Sequence, residues 1–250
     1  MRPRLSVIIP NYNEKENISA GCLDLVDRYL SKSKIDYEVL ISDDGSTDGS
    51  KELVRSYCRA HSNFRLLENA HAGKAAAINA GVKAAKGEII LFTDMDQSTP
   101  IDQIEKLFPY YDEGYDVVFG SRGHARKDFA PHRLLMSFAF RVFRQIFLLR
   151  HVSDTQCGFK SFKSHVAKEI FPMLSVVKRT KKTTGWNVSA FDVELLFIAQ
   201  KKGYKLREVD VDWADRDQST GKSRNYFKES IDMLKQIINV KTNDLKGLYS

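Results

Sequence analysis

The chain has 250 residues, of which 42% are hydrophobic and 28% charged. These proportions exclude a disordered chain, and the length suits one large α/β domain or one domain with a small appendage. The formal net charge of +7 favours anionic partners such as nucleotides, nucleic acid or an acidic membrane surface, but a merely soluble basic protein has the same balance.

The three cysteines, Cys22, Cys58 and Cys157, are widely spaced and form no CxxC pair. We therefore expect no disulfide partner and no structural zinc site, and a reducing, cytoplasmic compartment. The N-terminus has no signal-peptide layout, and no apolar run reaches the roughly 18 residues that span a bilayer. Any membrane association is therefore expected to be peripheral, on the cytoplasmic face.

The first half of the chain alternates short apolar runs with longer segments of helical spacing. The predicted elements in chain order are a strand at 5–9, a helix at 16–30, a strand at 39–42, a helix at 48–60, a strand at 64–67, a helix at 74–85, a strand at 88–92, a helix at 100–111 and a strand at 117–120. This alternation predicts an α/β fold with a mostly parallel central sheet flanked by helices. Polar clusters follow several of these strands, where such sheets bind ligands.

The second half has a different pattern. It contains predicted helices at 133–150, 192–202 and 227–240, an alternating strand at 206–211 and a polar loop at 219–225. In the first of these helices, Arg133, Arg141 and Arg144 share one face, and Leu and Phe residues fill much of the rest. That distribution is typical of a helix at a membrane interface, although an ordinary core helix is an open alternative.

The pair of acids in Asp94-Met95-Asp96 follows a buried strand. A turn there can bring both carboxylates to one ion, and hard oxygen ligands suit Mg²⁺ or Mn²⁺, which also bind phosphate oxygens. A capping turn before the helix predicted to begin at Pro100 is an equally good interpretation of this motif alone.

Three further loops carry groups that could contact a nucleotide. Carboxylates at 43–48 could receive its base and ribose hydroxyls, Tyr12 could stack on a base that Glu14 hydrogen-bonds, and backbone N–H groups at 71–74 could meet phosphate. Each loop can also be a plain helix cap or tight turn. A second carboxylate cluster at the same predicted sheet edge favours a shared site.

A set of motifs occurs in the order and spacing of a known family. They are Ile9-Pro10-Asn11-Tyr12-Asn13-Glu14, Asp43-Asp44-Gly45-Ser46, Gly73-Lys74 with Asn79-Ala80-Gly81, Asp94-Met95-Asp96, Gly120-Ser121-Arg122, Asp154-Thr155-Gln156-Cys157-Gly158-Phe159-Lys160 and Phe191-Asp192-Val193-Glu194-Leu195-Leu196. Over roughly residues 5–225 the chain resembles family 2 glycosyltransferases of the GT-A fold. The last two motifs resemble the branch of dolichyl-phosphate β-glucosyltransferases and polyprenyl-phosphate sugar synthases.

The resemblance implies roles for particular residues. The nucleotide-sugar site would comprise Pro10, Tyr12, Glu14, Asp43, Asp44, Lys74, Asp94, Met95 and Asp96. Asp94 and Asp96 would also bind the donor diphosphate and a Mg²⁺ or Mn²⁺ cofactor, while Arg122 and, on weaker grounds, Arg133 would meet the acceptor phosphate. The mobile basic loop over the diphosphate would contain Arg216, Lys222, Ser223 and Arg224.

Two features depart from the family pattern. Related mannosyl enzymes often carry Gln two places after the second Asp, as a metal ligand, whereas here Gln97 follows Asp96 directly and Ser98 takes that place. The N-terminal membrane anchor of eukaryotic glucosyl enzymes and the C-terminal transmembrane helices of some bacterial relatives are not expected here. We expect a catalytic domain over 1–225, with a nucleotide-binding half at about 1–122 and an acceptor-binding half at about 123–225, followed by an amphipathic helix and tail at 226–250.

The function that the resemblance implies is inverting transfer of a hexose, glucose favoured, from a nucleotide-diphosphate sugar such as UDP-glucose to a polyprenyl or dolichyl phosphate. An ionised lipid phosphate needs no general base. If the acceptor is instead a sugar hydroxyl of a growing glycan, Asp192 is the candidate base rather than a helix N-cap. A non-catalytic nucleotide-sugar binding module is a further alternative, and no nucleic-acid partner is expected.

Overall fold

A central sheet organises the molecule. The structure, a computed structural model, describes residues 2–123, 149, 152–178, 191–219 and 226–249. In this part of the chain the strands are β1 Leu5–Asn11, β2 Tyr37–Asp43, β3 Phe64–Glu68, β4 Ile89–Phe92, β5 Val117–Ser121, β6 Lys160–Lys163 and β7 Leu206–Asp210. They form one seven-stranded sheet in the order β3-β2-β1-β4-β6-β5-β7. β6 is antiparallel to both of its neighbours and the other pairings are parallel, which confirms the predicted mostly parallel sheet.

Helices cover both faces of this sheet. The helices of the described residues are α1 Lys15–Ser19, α2 Cys22–Leu30, α3 Ser50–Ala60, α4 Lys74–Ala84, α5 Ile104–Leu107, α6 Pro109–Asp112, α7 Ser164–Ile170, α8 Ser175–Lys178, α9 Phe191–Lys201 and α10 Tyr226–Leu245. The helix predicted at 133–150 lies outside the described residues.

Two of the predicted helices are wrong as single elements. The segment 16–30 is divided into α1 and α2 by Gly21, whose backbone φ of +85° belongs to the left-handed region. The segment 100–111 begins as a 3₁₀ turn at Ile101–Gln103 and continues as α5 and α6. Pro109 occupies the first turn of α6 and has no N–H to continue the preceding helix.

The alternation of side chains along the strands divides the apolar core into two layers. On β1, Leu5, Val7 and Ile9 face the layer that includes residues of α2 and α5, and Ile8 faces the layer that includes residues of α4, α7 and α9. All four side chains have no solvent exposure. The hydrophobic layers on both faces therefore hold the carboxyl ends of the strands in fixed positions.

The C-terminal segment is attached to α9 by a buried carboxylate. The O–H of Tyr249 donates to Glu194 Oε1 at 2.5 Å, and Glu194 also accepts from the backbone N–H and the hydroxyl of Ser175, each at 2.9 Å. Glu194 is 4% exposed, so these bonds replace water around its charge. α10 is longer than the predicted 227–240, and its tail thereby becomes part of the same core.

The antiparallel direction of β6 brings a further loop to the carboxyl edge of the sheet. Its first residue, Lys160, is in register with Phe92 of β4 and Phe119 of β5. The loop before β6 therefore emerges beside the segments that follow β4 and β5. β7 is parallel to β5 and ends with Asp210 beside Ser121, so the segment after β7 emerges at this edge too.

Candidate active site

The loops after β1 and β2 are joined by a buried asparagine. Asn11 donates from Nδ2 to Asp43 Oδ1 at 2.6 Å and to Ser46 Oγ at 3.2 Å. The other oxygen of Asp43 accepts from the N–H groups of Gly45 and Ser46 at 3.0 and 3.2 Å. Asp43 is 1% exposed, so its carboxylate shapes the 43–46 turn. A direct contact of Asp43 with the nucleotide stays a prediction.

The Asp44 carboxylate holds the loop that begins α4. It accepts from the N–H groups of Ala72 and Gly73 at 2.8 and 2.9 Å and lies 2.9 Å from Nδ1 of His71. The imidazole of His71 stacks on the Tyr12 ring with centroids 4.4 Å apart. The N–H groups expected to meet phosphate at 71–74 therefore include two that bind Asp44. The stacking surface predicted for Tyr12 faces His71.

The residues at the end of β1 meet the segment that follows β7. Pro10 closes β1, and Glu14 precedes α1 and accepts from Asn17 Nδ2 at 2.5 Å. The same amide nitrogen contacts Asp217 at 3.0 Å, and Asn17 Oδ1 accepts from the N–H of Gln218 at 2.8 Å. Asn17 thus ties the predicted base-binding loop to the segment that contains Arg216.

The two acids of the 94–96 turn lie at the end of β4. The turn closes at Gln97, which has a φ of +51° and donates its side-chain amide to the carbonyl of Asp94 at 2.8 Å. Asp96 accepts from the N–H of Ser98 at 2.8 Å. Burial raises the pKa of Asp96, and the Asp94 carboxylate raises it further. The turn therefore concentrates negative charge at the sheet edge.

The side chains of two residues beside these acids are engaged within the protein. Met95 is 3% exposed and packs in the apolar core, so its side chain is not presented to a ligand. Ser98, at the place where the family pattern has a metal-binding Gln, accepts a hydrogen bond at Oγ from the N–H of Arg216 at 3.2 Å. The backbone of Ser98 also accepts from Ala214 at 2.9 Å. The segment after β7 is therefore anchored beside Asp96.

Lys74 neutralises one of the acids. Its ammonium forms an ion pair with Oδ1 of Asp94. Loss of water around this partly exposed side chain would lower the pKa of Lys74, but the carboxylates of Asp94, Asp192 and Asp96 outweigh that effect and raise the pKa. Lys74 is therefore a fixed positive charge beside the acid turn.

The motif at 154–160 wraps around the same turn. Gly158 lies so close to Asp94 that a Cβ atom at 158 would be 1.9 Å from Oδ2 of the carboxylate. Cys157 is fully buried, and burial raises the pKa of its thiol, so this thiol is a structural group and not a reactive one. The described structure has all three cysteines as free thiols.

Arg122 is held in place by this motif. Its guanidinium makes two hydrogen bonds to the Asp154 carboxylate, at 2.7 and 2.9 Å, and the carbon of the guanidinium lies 5.7 Å from the Trp213 ring centroid. Asp154 in turn accepts from the N–H of Arg122 at 3.1 Å. This fork fixes the plane of the guanidinium at the sheet edge.

Asp192 has a buried partner. Its Oδ1 lies 2.7 Å from Nζ of Lys160, whose side chain has no solvent exposure and also donates to the carbonyl of Cys157. Asp192 is the second residue of α9, inside its first turn, so its interpretation as an N-cap is wrong. The ion pair places Asp192 on the same edge as Asp94, Asp96 and Lys74.

Sequence patterns assigned no role to Gly158 or to the side chains of His71, Asp154 and Lys160. For His71, only the backbone N–H was expected to act. The other three residues belong to the 154–160 motif, and its family resemblance was the signal available for them. Arg133, Lys222, Ser223 and Arg224 lie outside the described residues, and their predicted roles stay predictions.

A divalent cation fits the acid turn together with a phosphate ligand. Among the described residues, no group of three or more His, Cys, Asp or Glu side chains is arranged to hold a metal ion. Asp94 and Asp96 provide two carboxylates, and Mg²⁺ or Mn²⁺ is commonly held by one or two carboxylates with substrate phosphates and water.

The described helices offer no membrane span: none is both long enough and apolar enough to cross a bilayer.

Solved structures with the same fold include several sugar transferases. The mannosyl-3-phosphoglycerate synthase of Rubrobacter xylanophilus superposes with a TM-score of 0.67 at 13% identity, over 98% of this chain and 75% of that one. The mannosyltransferase PcManGT of Pyrobaculum calidifontis, solved with GDP-Man and Mn²⁺, gives a TM-score of 0.61 at 21% identity. That match covers 96% of this chain, which spans 64% of the length of PcManGT. These likenesses confirm the GT-A fold.

Sequence comparison gives the family. The dolichyl-phosphate beta-glucosyltransferase of Dictyostelium discoideum is 34% identical over 98% of this chain and 76% of that protein. Proteins of the same name from Saccharomyces cerevisiae, 30% identical over 98% of this chain and 76% of theirs, and Homo sapiens, 31% identical over 86% and 69%, also match. The model of the family described as "Glycosyl transferase family 2" matches residues 6–171. The chain is therefore a glycosyltransferase and belongs to glycosyl transferase family 2.

Proposed function

We propose that this enzyme transfers glucose from UDP-glucose to a polyprenyl or dolichyl phosphate, with inversion at the anomeric carbon. The observation that carries the proposal is the set of relatives named dolichyl-phosphate beta-glucosyltransferase, which match 86% to 98% of this chain at 30% to 34% identity. The site supports it, because an acid turn, Lys74 and Arg122 lie along one edge of the sheet.

The donor lies over the carboxyl ends of β1, β2 and β4. The loops that contain Pro10, Tyr12, Glu14 and Asp44 receive the nucleoside, and Lys74 meets the diphosphate. Asp94 and Asp96 would hold Mg²⁺ or Mn²⁺, which would offset the negative charge of the departing diphosphate. The segment 212–219, anchored at Ser98 and Asn17, brings Arg216 to the same side.

The acceptor phosphate attacks as an anion, so the chemistry requires charge compensation more than proton removal. Two unit charges about 6 Å apart repel by roughly 3 kcal/mol at an effective dielectric constant near 20. Arg122, oriented by Asp154, and Arg133 offset this repulsion at the acceptor. The pairing of Asp192 with buried Lys160 supports this acceptor over a sugar hydroxyl, because a carboxylate held by an ammonium is a weak proton acceptor.

The enzyme works at the cytoplasmic face of a membrane as a peripheral protein. Its acceptor is a membrane lipid, and its thiols suit a reducing compartment. Exposed apolar side chains on α10 and just after it, Ile238, Leu245 and Leu248, provide surface for such contact.

Transfer of labelled glucose tests the proposal. With UDP-glucose, a short polyprenyl phosphate and Mn²⁺, label should pass into a product that an organic solvent extracts. Asp96→Ala should lower the rate of this transfer by at least 100-fold, because the substitution removes a carboxylate from the proposed cation site. If no common nucleotide sugar gives a labelled lipid product, lipid glucosylation is refuted.

A parallel reaction with oligosaccharide acceptors distinguishes the alternative. Asp192→Asn should reduce transfer to lipid phosphate only in part, whereas transfer to a hydroxyl would depend on this carboxylate almost completely. Label in the oligosaccharide, abolished by Asp192→Asn, would replace the lipid phosphate with a glycan acceptor.

A further inference from the structure

The Asp94 carboxylate is enclosed by two different neighbours. Gly158 packs against Oδ2, with the position of a Cβ atom only 1.9 Å away, so protein occupies that side. Oδ1 forms the ion pair with Lys74. Side-chain exposures of 36% for Asp94 and 41% for Lys74 place this pair at the open surface of the site. A cation that approaches Asp94 from solvent therefore meets the ammonium of Lys74.

Lys74 is surrounded by more than one acid. The Asp94, Asp192 and Asp96 carboxylates all favour its charged form. Asp192 is fixed in position by Lys160, which has no solvent exposure and cannot move out to water without leaving the core. An ammonium that leaves Asp94 thus has a second carboxylate nearby, and a bound diphosphate would supply further anionic oxygens.

We propose that Lys74 competes with the divalent cation for Asp94, so that the cation binds tightly only together with the nucleotide diphosphate. This inference rests on the proposed function, because it takes the 94–96 turn as the metal site. Two cations on one carboxylate repel each other, which weakens binding of the metal alone. A diphosphate relieves the repulsion because it contributes negative charge to both cations.

The coupling is reciprocal. If the nucleotide strengthens metal binding by some factor, the metal strengthens nucleotide binding by the same factor. Lys74 enlarges this factor because it weakens the state in which the cation is bound without the nucleotide. The site then loads as a metal–nucleotide unit and does not collect divalent cations by itself.

Direct measurement of bound Mn²⁺ tests the competition. Electron paramagnetic resonance reports free Mn²⁺, and the bound Mn²⁺ is the difference from the total added. Titrations are run with and without UDP on the wild type, Lys74→Met and Lys83→Met. Lys83 is an exposed lysine on α4 and controls for the loss of one positive charge from the same helix. We expect Lys74→Met to bind Mn²⁺ alone about tenfold more tightly than the wild type, with a smaller gain from UDP. Lys83→Met should behave as the wild type does.

The outcomes separate this inference from the proposed function. If the wild type binds Mn²⁺ in the presence of UDP but Lys74→Met and a second variant, Lys74→Gln, bind Mn²⁺ alone no more tightly than the wild type, the competition is wrong and the metal site stands. If the wild type binds no Mn²⁺ even with UDP, the metal-dependent function itself is wrong. Melting temperatures of both Lys74 variants establish that they are folded.

Discussion

At residue 158, the absence of a side chain lets the loop before β6 reach the acid turn. A Cβ atom there would be 1.9 Å from Oδ2 and 2.6 Å from Cγ of Asp94. Atoms that close cannot coexist, so either the carboxylate or the loop has to move. Because the end of an aspartate side chain is easier to displace than two packed backbone segments, a larger residue at 158 should act first on Asp94.

Gly158→Ala is therefore expected to damage the site more than the fold. Displacement of Asp94 should weaken binding of UDP with Mn²⁺ by about tenfold, which corresponds to about 1.4 kcal/mol. Isothermal titration calorimetry measures this affinity. Gly120→Ala is the matched control, since its added methyl would meet Val211 and Cys157 in the core at 2.8 and 3.0 Å. Gly120→Ala should lower the melting temperature and leave the affinity for UDP with Mn²⁺ unchanged. If Gly158→Ala instead lowers the melting temperature without weakening this affinity, the contact of Gly158 with Asp94 does not shape the binding site.

Among the strands of the described residues, β6 is the one that sequence patterns did not predict, and the helices α7 and α8 after it were not predicted either. It has four residues, Lys-Ser-Phe-Lys, and lies between β4 and β5 as the antiparallel strand of the sheet. A buried lysine at its start conceals the strand, because hydrophobic periodicity counts Lys160 as a surface residue. Its burial is stabilised by Asp192 and the carbonyl of Cys157, partners that are close only in the folded chain.

The same strand is tied to its neighbours by an acid with a lowered pKa. Asp116, just before β5, accepts from Nζ of Lys163 at 2.9 Å and from the N–H of Lys205 at 3.0 Å. Partial burial by itself would raise the pKa of Asp116, but these hydrogen bonds outweigh it and hold that pKa below the ordinary value of 3.8. The unfolded chain then binds more protons than the folded one as the pH falls toward 3.8 and below, so this stabilisation is lost in acid.

Asp116→Asn should consequently destabilise the protein by about 1.5–3 kcal/mol at pH 7, the usual range for hydrogen bonds to a charged group. The difference from the wild type should shrink as the pH falls through 3.8 toward the lower pKa of the folded state. Urea unfolding between pH 3 and pH 7 measures it. Asp112→Asn, at an exposed acid on α6, is the control. A difference that is the same at every pH would mean that the charge of Asp116 contributes nothing.

At the scale of the whole molecule, the two halves differ in how far their sequence determines the structure. In the first half, apolar runs end in polar clusters, so the sheet and its binding edge follow from local patterns. Helix breaks at Gly21 and Pro109 are local too, but helical spacing alone overlooks them. In the second half, Asp154, Gly158 and Lys160 act through contacts with β4, β5 and α9, and only the resemblance to a known family indicated that their segment mattered.

Since the proposed base-binding loops, the acid turn and the segment after β7 all belong to one edge, a bound donor should stabilise the whole molecule. At 100 times its dissociation constant, a ligand of the folded state contributes about 2.7 kcal/mol, which for a domain of this size raises the melting temperature by roughly 5–10 °C. We expect this shift for UDP with Mn²⁺ and a smaller one for GDP with Mn²⁺, measured by differential scanning fluorimetry. Asp96→Asn should lose most of the shift while melting near the wild-type temperature without ligand, because the substitution removes a buried charge and its repulsion with Asp94, the two causes that raise the pKa of Asp96. Equal shifts for wild type and Asp96→Asn would separate nucleotide binding from the acid turn, and a larger shift with GDP would change the proposed donor.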